Sequence, residues 1–147
     1  MAECSICERV KLAKEGKNSF LIHEFKSSYL VLGDHQFYKG YSLLIFKLHV
    51  RELHELSADT QQMLFKELMT AGKAVNDAFK PWKMNYSCYG NQVPHIHWHL
   101  FPRYESDANH LNTPWSNAAE FGNHPTQEAD KIQGIDLIRS KLEKVNI

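Results

Sequence analysis

Three histidines alternate with apolar residues in one short segment, His95-Ile96-His97-Trp98-His99. Successive side chains of a β-strand point to opposite faces, so this spacing predicts three imidazoles on one face and apolar side chains in a core on the other. Clustered imidazoles disfavour one another's protonation, which keeps them neutral near pH 7. Neutral imidazole is both a nucleophile and a metal ligand, and the segment is therefore predicted to be an active or metal site.

Two chemistries fit this spacing. Three histidine ligands can hold a catalytic zinc ion with one open coordination position. Alternatively, one histidine can attack phosphorus and form a covalent intermediate. The spacing of the residues does not distinguish the two.

A C-x-x-C pair, Cys4 and Cys7, lies near the start of the chain. In a reducing compartment such a pair indicates a metal or redox role rather than a disulfide. A closed structural zinc site needs four ligands, so two more would have to come from elsewhere. The third cysteine, Cys88, is predicted to be a small core residue.

Period-two patterns and turn residues predict five strands, over residues 19–25, 28–32, 41–47, 84–89 and 93–101. A long helix is predicted from its N-cap Ser57 to Phe79, with apolar residues recurring at three and four positions. A second helix is predicted from Thr126 to Val145. Strands that lie close together in sequence favour an antiparallel sheet with helices packed on one side, which is an α+β domain.

Composition predicts one domain over residues 1–147, with a C-terminal extension over about 104–147. The 17 basic and 17 acidic side chains balance, which argues against binding to a nucleic acid polymer or an anionic membrane surface. No run of about 20 apolar residues and no signal-peptide pattern is present, so we expect a cytoplasmic protein. Four scattered histidines are expected to be solvated: His23, His35, His54 and His124.

Residues 95–103 resemble the signature of the histidine triad (HIT) family, His-x-His-x-His followed by two apolar positions. The segment 39–50 resembles that family's third strand, and Cys4-Ser5-Ile6-Cys7 resembles the N-terminal C-x-x-C of many bacterial members. Residues 90–94, Arg103-Tyr104 and Trp115 resemble a prokaryotic subgroup. The similarity covers about residues 4–116 and implies a HIT-like fold that forms a homodimer.

The family comprises nucleotidyl hydrolases and transferases. The resemblance implies that His97 attacks the α-phosphorus of a dinucleoside polyphosphate or nucleoside phosphoramidate, and that water then hydrolyses the nucleotidyl–histidine intermediate. His99 would hydrogen-bond the phosphoryl oxygens or the leaving group. A covalent intermediate divides one difficult displacement into two easier ones. Positioned donors then stabilise the negative charge on the phosphoryl oxygens.

Four further residues are implied to bind the nucleotide. Asn91 stands where many members have a phosphate-contacting glutamine, and Gln92 stands where they have serine or threonine. Asp34 is placed to bind the ribose hydroxyls, with an ordinary turn aspartate as the alternative. Trp115 would line the partner subunit's pocket or the dimer interface, unless it is a local core anchor. Tyr41 departs from the family, which usually has histidine there.

Similar bacterial members recruit the histidine after the third strand and the first histidine of the triad for zinc. The resemblance therefore implies a structural zinc site made by Cys4, Cys7, His49 and His95. The alternative is that the two cysteines belong to a frayed terminus that binds no metal.

Three other functions remain open. The chain could be a nucleotide-binding regulatory or scaffold protein with negligible turnover. It could be a nucleotidyltransferase, although that branch usually replaces the last triad histidine with glutamine and His99 is intact. It could be a metallohydrolase that uses the three strand histidines as ligands, although the C-x-x-C thiolates already supply half of a separate site.

Overall fold

The protein is described here by a computed structural model covering residues 4–144. In chain order the helices and strands are α1 (Ser5–Lys14), β1 (Leu21–Glu24), β2 (Ser28–Leu32), β3 (Ser42–Phe46), α2 (Ala58–Phe79), β4 (Lys83–Ser87), β5 (His97–Arg103) and α3 (Glu128–Leu142). Short 3₁₀ segments lie at Leu53–Glu55 and Pro114–Asn123. The predicted end of the last helix, Val145, lies outside the described residues.

The five strands form one antiparallel sheet in the order β1-β2-β3-β5-β4. This confirms the α+β fold class and the five-stranded antiparallel sheet. Strand β5 lies between β3 and β4, and it pairs His97 with Ile45 and His99 with Leu43. The histidine segment therefore sits in the interior of the sheet, where both neighbouring strands hold its backbone in place.

The sheet separates two apolar cores. One core packs α2 and α3 on one face, with Leu68, Val75 and Ile138 at its centre. The other face carries α1 and the 114–123 segment. The expectation that all helices pack on one side is thus wrong for α1, a helix that was not predicted from the sequence.

The sequence of helix α1 does contain an apolar pattern with helical spacing. Ile6, Val10 and Ala13 recur at helical spacing and are all buried. The N-cap is Cys4, whose sulfur accepts a hydrogen bond from the backbone N–H of Cys7 at 3.4 Å. Cysteine is not among the preferred N-cap residues, so the usual start signal of a helix is missing from the sequence.

Strand β5 begins at His97 rather than at Val93, which corrects the predicted start. Pro94 has no N–H to donate to a ladder, and the His95 N–H instead bonds back to the Val93 carbonyl at 2.8 Å. The chain therefore turns immediately before the strand. The prediction that all three histidines share one strand face is wrong for His95.

No helix within residues 4–144 combines the length and apolar character that crossing a membrane would require.

Candidate functional site

His97 lies on β5 and is buried, with 8% of its surface exposed. Its Nδ1 lies 2.6 Å from the backbone carbonyl oxygen of His95. A carbonyl only accepts hydrogen bonds, so Nδ1 carries the proton and donates it. The other nitrogen of the neutral ring, Nε2, is therefore left with a free lone pair, which is the form a nucleophile needs.

His99 is the next residue on the same face, and its ring centroid lies 5.0 Å from that of His97. Its Nδ1 contacts the hydroxyl of Tyr41 at 2.6 Å. Burial, and then repulsion from the neighbouring His97 and His35, lowers the pKa of His99 to about 4. His99 is therefore uncharged at neutral pH.

A cleft of about 520 Å³ opens over these two rings. It brings together every residue predicted to act on or bind a nucleotide, namely Asp34, Asn91, Gln92, His97, His99 and Trp115. Eight other residues that line the cleft were not singled out from the sequence for substrate contact: Ser5, Ile6, Arg9, Tyr41, Leu43, Tyr89, Gly90 and Val93. Three of them belong to α1, and the failure to predict that helix explains why those three were missed.

Asp34 lies just after β2, at the rim of the cleft. Its carboxylate accepts a hydrogen bond from the Arg9 guanidinium at 2.9 Å, and the Asp34 side chain remains 59% exposed. The only formal charges on the cleft wall are therefore this arginine and this aspartate, among the residues that line it. Arg9 and Asp34 thus form one ion pair at the rim of a cleft whose other lining side chains carry no formal charge.

Trp115 belongs to the 114–123 segment and closes one side of the cleft of its own chain. Its ring meets that of His99 edge-on, with centroids 4.9 Å apart. Its indole N–H donates to the Ser87 hydroxyl on β4 at 3.3 Å. These contacts fix the tryptophan against the third triad histidine.

Three scattered residues differ from their predicted environments. His23, expected to be solvated, is half-buried and packs edge-on against Phe25, with ring centroids 4.5 Å apart. His35, expected to be solvated, is half-buried and stacks between the rings of Tyr41 and Phe121, with centroids 4.4 and 4.3 Å away. Burial lowers the pKa of His35. Cys88, expected in the core, is only half-buried.

A second cluster lies beside the cleft and consists of Cys4, Cys7, His49 and His95. One potential ligand atom from each residue lies within 4.8 Å of all the others. The Cys7 sulfur is 3.2 Å from His49 Nδ1 and 3.5 Å from His95 Nδ1, and the Cys4 sulfur is 3.6 Å from His95 Nδ1. Ligand bonds of tetrahedral zinc place neighbouring ligand atoms about 3.3–3.8 Å apart, so the spacing fits zinc.

The protonation of His95 also fits a metal ligand. Its Nε2 lies 2.8 Å from the Phe46 carbonyl, so this nitrogen donates the proton and Nδ1 is left free to coordinate. The ring of His95 thus faces the cysteines. Within residues 4–144, His97 and His99 have no third metal-binding side chain close enough to form a metal site with them.

The family model described as "HIT domain" matches residues 14–106. The chain therefore belongs to the HIT family, as its motifs predicted. It is 30% identical over 71 residues to the "Protein hit" of Bacillus subtilis, a match covering 45% of this chain and 49% of that protein. The chain thus spans about half the length of this curated relative.

Solved HIT structures share the fold. A hypothetical histidine triad nucleotide-binding protein from Sulfolobus tokodaii is 18% identical with a TM-score of 0.73, covering 93% of this chain and 92% of that one. A zinc-bound histidine triad family protein from Mycobacterium smegmatis is 19% identical with a TM-score of 0.68, covering 97% and 94%. A HIT protein from Sinorhizobium meliloti is 22% identical with a TM-score of 0.74, covering 83% and 88%.

Proposed function

We propose that this protein is a nucleotide hydrolase of the histidine triad type, acting on dinucleoside polyphosphates or nucleoside phosphoramidates. The observation that carries the proposal is the 2.6 Å hydrogen bond from His97 Nδ1 to the His95 carbonyl. This bond places the Nδ1 proton on the side of the carbonyl, so that in the neutral tautomer the Nε2 lone pair of this buried ring is available on the wall of the cleft. Family membership supplies the nucleotide as the substrate class.

In the first step His97 Nε2 attacks the α-phosphorus. A P–N bond forms to the histidine, and the bond from phosphorus to the leaving group breaks, releasing a phosphate-terminated fragment or, after uptake of a proton from solvent, an amine. Water then attacks phosphorus and releases a proton to solvent, the P–N bond breaks, and the mononucleotide leaves while His97 regains its lone pair. Each displacement needs donors on the phosphoryl oxygens.

Neutral donors surround the place where the phosphate would sit. Asn91 and Gln92 precede β5 on the cleft wall and offer amide N–H groups, and His99 offers a ring nitrogen. Asp34 offers a carboxylate to ribose hydroxyls at the rim, and Trp115 supplies an apolar wall. We assign these five residues and His97 to the substrate site.

Zinc is the proposed structural cofactor, held by Cys4, Cys7, His49 and His95. When bound, the ion would cross-link the start of α1 to the segments that follow β3 and precede β5. Its role is to hold α1 against the cleft, and His95 then fixes His97 through its backbone carbonyl. A site with two cysteines that form no disulfide suits a reducing compartment, so we propose that the protein acts in the cytoplasm as one domain over residues 1–147.

A homodimer is proposed as the assembly. Strand β4 is at the edge of the sheet, and its outer side pairs with no other strand among residues 4–144. Trp82 and Tyr86 are 49% and 38% exposed along this edge. An exposed strand edge with aromatic side chains is a ready surface for a second copy.

The test is a direct search for the intermediate. Purified protein is mixed with diadenosine polyphosphates and adenosine phosphoramidates, quenched in denaturant at alkaline pH, and digested for mass spectrometry. We expect a nucleotidyl adduct on His97 together with release of AMP. His97→Ala should lose both, whereas His54→Ala, which changes an exposed histidine outside the cleft, should keep both.

Turnover close to that of the wild type in His97→Ala would contradict the mechanism. Tight AMP binding with neither adduct nor product would indicate the regulatory or scaffold function instead. Transfer of the nucleotidyl group to added phosphate, in preference to water, would indicate a nucleotidyltransferase.

A further inference from the structure

We propose that Tyr41 is a positioning residue that holds His99 in a single ring orientation and tautomer, with the ring proton on Nε2 facing the substrate. The inference rests on the proposed function for the role of His99. It extends that function by assigning opposite hydrogen-bonding roles to His97 and His99.

The contact follows from the register of the sheet. Ser42 pairs with Leu100 across β3 and β5, so Tyr41 lies one position further along, on the same face as His99 and diagonal to it. Diagonal neighbours on one sheet face are within reach of aromatic side chains. The Tyr41 hydroxyl oxygen accordingly lies 2.6 Å from His99 Nδ1.

The direction of this hydrogen bond follows from burial. Tyr41 is 4% exposed, and burial raises the pKa of its hydroxyl far above the usual range, so the oxygen keeps its proton. Among residues 4–144 the hydroxyl has no hydrogen-bond partner other than His99. If His99 donated instead, the phenolic O–H would be buried without an acceptor, which is unfavourable. The hydroxyl therefore donates to Nδ1, and the proton of the neutral ring resides on Nε2.

The tyrosine ring is held so that the hydroxyl cannot swing away. It stacks between His35 and Phe101, with centroids 4.4 and 4.5 Å distant. Its outer edge lies so close to Gly33 that a Cβ built there would be 2.2 Å from the ring. Glycine at position 33 therefore admits the tyrosine ring, and the aromatic stack fixes its plane.

The two cleft histidines therefore have opposite tautomers, because their Nδ1 atoms have different hydrogen-bond partners. The partner of His97 is a carbonyl oxygen, which only accepts, so the Nε2 of His97 is a lone pair. The partner of His99 is a hydroxyl that donates, so the Nε2 of His99 is an N–H. One ring is thereby set as nucleophile, and the other as a donor to a phosphoryl oxygen or leaving group.

The first measurement is made on the wild-type protein, with a variant used only to assign the signals. The full-length, zinc-loaded protein is labelled with ¹⁵N-histidine, and His99 is assigned from the signals that disappear in His99→Gln. We expect a protonated Nε2 and an unprotonated Nδ1 at His99, and the reverse at His97. A His99 ring protonated on Nδ1 would overturn the inference, whatever the activity of the protein.

The second measurement removes the hydroxyl. Tyr41→Phe keeps the stacked ring, and the matched control Tyr38→Phe removes another buried hydroxyl, which donates to the Pro114 carbonyl and does not contact His99. We expect Tyr41→Phe to mix the two His99 tautomers and to lower kcat about tenfold or more, with KM within about twofold. Tyr38→Phe should leave the His99 spectrum and kcat unchanged within about twofold.

The outcomes separate this inference from the proposed function. An unchanged His99 spectrum and kcat in Tyr41→Phe would refute the positioning role while the hydrolase proposal stands. A wild-type protein that shows the expected tautomers but hydrolyses no nucleotide would refute the hydrolase proposal, and the hydrogen-bond assignment would stand.

Discussion

The rim of the cleft holds an ion pair where a ribose is proposed to bind. Arg9 donates to Asp34, and both side chains are substantially exposed. An exposed pair of this kind contributes little to the free energy of unfolding, typically under about 1 kcal/mol. Its position on the cleft wall therefore matters more for ligand binding than for folding.

Asp34→Asn tests this assignment. Replacing the carboxylate with an amide weakens the acceptor for two hydroxyl groups, and we expect KM to rise about tenfold with kcat nearly unchanged. The matched control is Glu15→Gln, which removes the carboxylate of an exposed pair with Lys17 on the surface away from the cleft. Steady-state kinetics with the best substrate from the adduct screen provides the measurement, and a fall in kcat at constant KM would contradict a ribose-binding role.

His99 also makes stability depend on pH. Burial and the nearby His97 and His35 lower its pKa to about 4, while Asp34 opposes the shift. The unfolded chain protonates this ring near pH 6.5, so acid favours the unfolded state, and stability present above pH 6.5 is lost as the pH falls toward 4. At pH 5 the loss due to this ring is about 2 kcal/mol.

Denaturant unfolding at pH 7 and pH 5 measures this effect. The loss of unfolding free energy between the two values should be smaller in His99→Gln than in the wild type. Any release of bound metal in acid is common to both proteins and cancels in the comparison. His54→Gln, at an exposed position, should behave like the wild type, and equal losses in all three proteins would show that His99 is not the source.

At the scale of elements, α1 connects the proposed metal site to the cleft. Its N-cap is Cys4, its first turn contains Cys7, and Ser5, Ile6 and Arg9 face the cleft. Only Ile6, Val10 and Ala13 anchor the helix in the core. A ten-residue helix is marginal in isolation, so its position depends on these contacts and on its first turn.

Cys7→Ser is therefore expected to affect both sites. Bound zinc should fall from near one per chain to near zero, the Tm should fall by several degrees, and KM should rise several-fold as the cleft wall loosens. Cys88→Ser changes a cysteine outside the cluster and should leave zinc content and KM unchanged. Metal analysis, thermal unfolding and kinetics on the three proteins provide the test, and full zinc content in Cys7→Ser would contradict the assigned ligand set.

At the scale of the whole molecule, the free edge of β4 is the surface proposed for self-association. Gly72 of α2 packs against Tyr86 of β4, where a Cβ would lie 2.3 Å from the tyrosine hydroxyl. This close packing places the helix and the edge strand on one continuous surface. Pairing two copies along β4 would join two five-stranded sheets into one.

Light scattering after size exclusion should give about twice the 17.1 kDa chain mass for the wild type. Trp82→Glu places a charge at the exposed edge, and we expect it to shift the protein toward the monomer. Ile132→Glu is a matched change at a 54% exposed position on α3, away from β4, and should leave the mass unchanged. A monomeric wild type would overturn the homodimer.

Local periodicity was enough to predict much of this protein. The alternation around His97 predicted a strand, the stripe from Leu64 to Phe79 predicted α2, and the HIT motifs predicted the family. Such patterns can be recognised in a sequence because backbone geometry alone determines which side chains share a face of a strand or helix. The C-x-x-C spacing of Cys4 and Cys7 likewise indicated a metal or redox role before any fold was known.

Only the tertiary structure decided how these parts meet. The turn before β5 directs His95 to the cysteines and leaves His97 and His99 in the cleft. The Tyr41 hydroxyl reaches His99 across 58 positions of sequence, and Cys4 reaches His95 across 91. Contacts between residues so distant in sequence depend on strand register and on packing between layers. A local pattern of residue types predicts neither the register nor the packing.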